Sequence, residues 1–111
     1  MTESDVKQIK KGILKILILK LLQQEKKYGY ELLVEMSQKS KGFFKVKEGT
    51  LYPVLYRLLD QGFITDRKEL VGRRQTRVYY HLEPAGKEHL DKLIEDYYGL
   101  VDAIQCILGP R

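Results

Sequence analysis

Apolar residues along the chain fall into three helical patterns, then a two-residue alternation, then a longer helical pattern. Over residues 6–24, Ile9, Ile13, Ile16, Leu17, Leu19 and Leu21 surround much of a helix, which predicts burial on more than one side. Lys26-Lys27 ends this stretch. A second helix starts at Tyr28-Gly29 with Leu32, Leu33 and Met36 on one face, and Gly42 breaks it. A third is predicted over residues 48–60, where Leu51, Val54, Leu55, Leu58 and Leu59 stand at i, i+3, i+4, i+7 and i+8. Thr50, Tyr52, Arg57 and Gln61 take its other face. Pro53 lies near its start, and Gly62 suits a left-handed stop.

Residues 63–67 and 76–82 then read as two strands around a glycine-containing tip. In the second, Val78, Tyr80 and Leu82 alternate with Arg77, Tyr79 and His81, so one face is packed and one is wet. Glu83-Pro84 opens the last helix, with proline at its first position. Along it Leu90, Ile94, Tyr97, Val101, Ile104 and Leu108 form a heptad seam, widened by Leu93, Tyr98, Leu100 and Ile107. So long a helix, apolar on seam and flanks, exceeds what the preceding residues can cover. It is expected to join two copies of the chain, and to pack on the first helix as well.

The predicted fold is therefore mainly α with a small β-hairpin. Residues 1–82 would form a winged helix-turn-helix and residues 83–111 a C-terminal dimerisation helix. At 111 residues a core is attainable without staples. Charge separates the two parts: residues 1–82 hold 17 Lys/Arg against 9 Asp/Glu, residues 83–111 hold 3 against 6. The first part suits a polyanion and the second does not.

Other chemistry is sparse. His81 and His89 stand apart, no Cys/His pair has metal spacing, and no glycine-rich phosphate loop follows a strand, so neither enzyme nor cofactor is expected. Glu88, Asp91 and Glu95 read as a solvated stripe. Cys106 has no cysteine to pair with and lies in an apolar run, which predicts a buried, reduced thiol. The apolar run 13–22 contains Lys15 and Lys20 and is too short to span a bilayer. A cytoplasmic location without membrane contact is expected. Lys10, Lys11, Lys26 and Lys27 read as a solvated face.

Specific residues go further. Tyr28-Gly29-Tyr30-Glu31-Leu32, Gly49-Thr50-Leu51-Tyr52-Pro53, Arg57-Leu58, Gly62-Phe63-Ile64, Gly72-Arg73-Arg74, Tyr79-Tyr80-His81-Leu82 and Gly86 resemble, in order and spacing, the PadR family of bacterial transcriptional regulators. The resemblance runs from about Gly12 to Leu108. With a single C-terminal helix the chain is similar to the short subfamily, which includes multidrug-sensing repressors. It departs at Glu83, where the family often has threonine, and in having no tryptophan; Tyr98 falls where the short sensors can carry one.

That resemblance implies a homodimeric repressor on a pseudo-palindromic double-stranded operator. Lys47, Gly49, Thr50, Tyr52 and Pro53 would approach DNA at the recognition helix, where backbone N–H groups can hold phosphate. Arg73, Arg74 and Arg77 would grip phosphate or a minor groove from the wing. Tyr30 is implied as a phosphate contact. A small aromatic or hydrophobic effector would sit at the dimer centre against Ile9, Ile13, Ile16, Tyr97, Tyr98 and Asp102. The alternative is a ligand-sensing or protein-interaction module whose winged domain no longer reads DNA.

Overall fold

The computed structural model describes residues 9, 10 and 12–111. The elements are α1 (Ile13–Gln24), β1 (Lys27–Tyr28), α2 (Gly29–Lys39), α3 (Glu48–Asp60), β2 (Ile64–Val71), β3 (Gln75–Leu82) and α4 (Pro84–Leu108). Three helices and the first part of α4 enclose one core against a small antiparallel sheet of order β1-β3-β2. Ile18, Leu19, Leu32, Leu51, Leu55, Leu58, Ile64 and Leu90 are its fully buried large side chains. Each contributes roughly 1.5–3 kcal/mol by leaving water.

Helix α3 has the bounds its periodicity predicts, and its stripe faces inward: Leu51, Leu55 and Leu58 are buried, with Val54 and Leu59 packed beside them. Its end is a tight one. The Phe63 N–H donates to the Leu58 carbonyl at 3.1 Å and the Gly62 N–H to that of Leu59 at 3.0 Å, with Gly62 at φ 75°. That pair of bonds needs a left-handed residue, which glycine adopts without a Cβ clash.

Several expectations change. The first helical pattern is not one continuous helix: Gly12 stands at φ 88° and α1 begins after it. A left-handed residue cannot continue a right-handed helix, so Ile9 and Lys10 precede a break. Val6 and Lys11 lie outside the described residues. The wing strands are longer than read, because pairing continues to Val71 opposite Gln75 and leaves Gly72, Arg73 and Arg74 as the connecting turn. The two-residue strand β1 was not expected; it pairs Lys27 with Tyr80 and Tyr28 with Tyr79.

Lys27 is the clearest correction. It is not on a solvated face but 2% exposed, its ammonium 2.6 Å from Glu35 and 3.4 Å from Glu25. Burial alone would lower its pKa. The hydrogen bond and charge of Glu35, helped by Glu25, outweigh that and hold it above the ordinary lysine value.

Helix α4 joins both parts of the molecule. Its first turns belong to the core, through Leu90, Leu93 and Ile94. Leu90 therefore packs within the chain, fully buried, and is not part of an exposed dimer seam. Beyond Ile94 the helix leaves the core. The Cα radius of gyration is 15.7 Å, against about 13 Å for a compact chain of this length, and the longest dimension is 56 Å. Tyr98, Leu100, Ile107 and Leu108 are well exposed on this distal part, and Ile104 is 44% exposed. Cys106 lies there too and is exposed, not buried as its apolar run suggested, because no other described element covers it.

His89 provides a pH test of the joint between α3, the wing and α4. Its ring stacks on Phe63, with centroids 4.2 Å apart and planes 11° from parallel, and its Nε2 is buried without a hydrogen-bond partner. Burial first, then the charges of Lys15 and Lys92, push its pKa below the ordinary histidine value. The unfolded chain then binds a proton that the folded chain resists. Stability is full above the unfolded pKa of about 6.5 and declines as pH falls through it toward the lower folded value. The thermal midpoint of the wild type should drop more between pH 7 and pH 5 than that of His89→Phe, which keeps the stack and removes the titration. Parallel pH profiles would refute this.

Candidate nucleic-acid interface

The start of α3 is exposed and has no side-chain cap. Lys47 occupies the N-cap without a side-chain capping bond. The N–H groups of Thr50 and Leu51 both turn back to the Lys47 carbonyl at 3.0 Å. Those of Glu48 and Gly49 are left for an outside acceptor, as the first donors of a helix are unless capped. Lys47, Gly49 and Thr50 are exposed, and a Cβ added at Gly49 would meet nothing within 4 Å. Pro53 is also exposed, and it has no N–H to offer the Gly49 carbonyl one turn before it.

Tyr52 is placed differently. It is half-buried, and its hydroxyl is 2.4 Å from where a Cβ on Gly29 would stand. A side chain at Gly29 would have to push the Tyr52 ring aside. The phenol therefore locks the start of α3 onto the start of α2, and the Tyr56 ring lies 6.1 Å away. Burial, then Glu48 and Tyr56, raise the Tyr52 pKa. Tyr80, buried behind them, is pushed up to about 12, chiefly by burial. Both phenols stay protonated near neutrality.

Tyr30 follows Gly29 directly and is 64% exposed. Arg73 and Arg74 project from the wing turn, exposed and outside every ion pair among the described residues. Arg77, by contrast, is half-buried with its guanidinium over the Tyr28 ring. The structure thus brings Tyr52, the start of α2 and Arg77 together, and leaves Lys47, Gly49, Thr50, Tyr30, Arg73 and Arg74 facing outward. Tyr28 was read only as a helix start and Lys26 as part of a solvated face, whereas Tyr28 lies under Arg77 and Lys26 over Tyr79; a tyrosine beside a helix start carries no local sign of a distant cation.

The profile of the Transcriptional regulator PadR-like family matches residues 18–92. The chain belongs to the PadR-like family of transcriptional regulators. An uncharacterised protein of Lysinibacillus sphaericus is 32% identical over 98 residues, 88% of this chain and 90% of that one. The negative transcriptional regulator PadR of Bacillus subtilis is 33% identical over 78 residues, covering 70% of this chain and 43% of its own length. A PadR family regulator of Eggerthella lenta superimposes with a TM-score of 0.85 at 27% identity, over 97% of this chain and 92% of its own. The B. subtilis PadR solved with operator DNA superimposes with a TM-score of 0.68 at 31% identity, over 75% of this chain and 47% of that one. This chain spans less than half of that longer relative. Membership carries the winged-helix fold and a regulatory, non-enzymatic role.

Of the expected effector residues, Ile9, Tyr98 and Asp102 are exposed, Tyr97 is 37% exposed, and Ile13 and Ile16 are half-buried on α1. Among the described residues a groove of about 340 Å³ lies elsewhere, between α1, α3 and α4. Leu14, Val54, Leu58 and Leu93 line it with Lys15, Arg57 and Gln61, and it holds none of the six expected residues. No cluster of three or more His, Cys, Asp or Glu suited to a metal exists among the described residues. None of their helices is long and apolar enough to cross a membrane.

Proposed function

We propose that the chain is a cytoplasmic, homodimeric repressor that reads a pseudo-palindromic operator. The observation that carries this reading is the pairing of an exposed α3 start, without a side-chain cap, with an arginine wing turn outside every ion pair of the described residues. Its likeness to a PadR solved on operator DNA supports the same conclusion. The α3 start, with Lys47, Gly49 and Thr50, enters a major groove; Arg73, Arg74 and Tyr30 hold phosphates on either side. Joined through the distal part of α4, two such heads stand about 34 Å apart, one helical turn of DNA. Tyr97, Val101, Ile104 and Leu108 form the seam. An aromatic or hydrophobic effector at the dimer centre would act by favouring one angle between protomers over another; equal affinity for both would shift nothing.

Salt titration of operator binding tests the proposal. Affinity should fall steeply with salt, and Arg73→Ala with Arg74→Ala should flatten the log–log slope by about 2 while weakening all sequences alike. Thr50→Ala should instead erode the preference for operator over random duplex. A flat profile, or no preference for any duplex, favours the alternative module that has lost DNA reading.

A further inference from the structure

The outer face of the sheet carries a row of charges laid on rings. Tyr28 of β1 stands opposite Tyr79 of β3, and their rings meet edge to face, with centroids 5.5 Å apart at 79°. The Arg77 guanidinium lies over the Tyr28 ring at 4.4 Å, and the Lys26 ammonium over Tyr79 at 4.9 Å. Glu69 closes the row through its ion pair with Lys26, and its second oxygen is 3.8 Å from His81 Nε2. Strand register puts Glu69 directly opposite Arg77. Even so, the described ion pair of that carboxylate goes to Lys26, and the guanidinium goes to a ring.

Tyr28 is no ordinary strand residue. It is the N-cap of α2, and its N–H donates to Glu31 Oε1 at 3.1 Å. The next residue, Gly29, is where Tyr52 presses α3 onto α2. Arg77 therefore reaches from the wing to the joint at which both DNA-facing helices begin. The backbone pairing there is only two residues long, too little by itself to hold a hairpin at a set angle. A partly shielded cation on an aromatic face supplies the missing restraint. Leaving the ring to reach a phosphate would give that restraint up.

We infer that Arg77 is a positioning residue for DNA binding, bracing the wing against the start of α2 so that the Arg73–Arg74 turn and Tyr30 engage one duplex together. This rests on the DNA-reading proposal, and it replaces a direct phosphate contact by Arg77. The brace needs the ring of Tyr28 and not its hydroxyl.

Salt-dependent operator binding separates a brace from a contact. Arg77→Ala should weaken binding by about fivefold to tenfold with the salt slope unchanged, since no phosphate contact is lost. Tyr28→Ala should match it, the double variant should be no worse than either single one, and Tyr28→Phe should bind like the wild type. A slope reduced by about 1 in Arg77→Ala, with Tyr28→Ala binding normally, would overturn the inference. Hydrogen exchange on the free protein tests the brace without DNA. Wing amides of residues 64–82 should exchange faster in Arg77→Ala and Tyr28→Ala, and at wild-type rates in Tyr28→Phe. Unchanged wing exchange would overturn the brace even if binding fell. A wild type that ignores duplex DNA while the exchange result holds would instead remove the DNA reading and leave the brace standing.

Discussion

Ile104→Glu should make the chain a monomer in sedimentation and lower operator affinity by about a hundredfold or more. Ile104 lies on the same side of α4 as Leu90 and Ile94, but beyond the point where the helix leaves the core, and 44% of it is exposed in the single chain. Tyr97, Val101 and Leu108 continue that line, with Leu100 and Ile107 beside it. A contiguous apolar face of this kind is uncommon on a protein that stays alone in water. Closing it against a second copy removes apolar area from both, and a carboxylate placed there would have to be buried without a partner. Two linked heads gain about 10²–10⁴ in avidity over one, so losing the link should be felt chiefly as lost operator affinity. Because Ile104 is outside the core, far-UV helicity should persist. Cys106→Asp is the control. Two residues further on, it points about 200° round the helix and should leave assembly intact. A stable Ile104→Glu dimer with full affinity would refute the seam.

That seam also shows what periodicity can reveal. Spacing along α4 marks which side is apolar; it does not say what covers that side. Leu90 and Ile104 sit on one continuous stripe, but the first is covered by the chain's own core and the second is not. The crossover depends on how far the other elements reach along the helix, a property of the assembled fold. For the same reason Cys106 read as buried and is exposed. The bounds of α3 were legible because local signals agree: an apolar stripe, a glycine at its left-handed stop and a polar opposite face.

Non-local features escaped the sequence. β1 is two residues long and exists only because β3 lies beside it. Lys27 looked solvated because lysines usually are, and its burial depends on Glu35 arriving from α2. Tyr52 and Arg77 carried the right residue types for DNA contact. Within the chain their neighbours are Gly29 and Tyr28, contacts that the residue types alone did not announce. The outward candidates at the α3 start and wing turn were recognisable from glycine and arginine placement alone. Those chemistries need no internal partner to be understood.

Gly86→Ala should be the most damaging small substitution in the chain, while Gly99→Ala on the same helix should be mildly stabilising. At Gly86 an added Cβ would stand 2.0 Å from the Phe63 carbonyl oxygen, 2.9 Å from its carbon and 2.7 Å from Leu82 Cδ1. The first two are backbone, and that carbonyl also accepts the Glu83 N–H at 3.0 Å, so it cannot swing aside without losing the bond that starts α4. Relief requires moving α4 away from the turn after α3, which would loosen Leu90 and the stack of His89 on Phe63. Overpacking of this kind costs about 3 kcal/mol or more, equivalent to roughly 10–20 °C in thermal midpoint for a small domain. At Gly99 nothing lies within 4 Å, and alanine in an open helix interior gains about 0.5–1 kcal/mol. Thermal melts of the two variants should therefore move in opposite directions from the wild type. Equal shifts would mean that helix propensity alone governs α4, and that its first turn is not clamped to the carbonyl of Phe63. In the proposed dimer, the clamp would be the rigid link through which the angle of the distal α4 is felt at α3 and the wing.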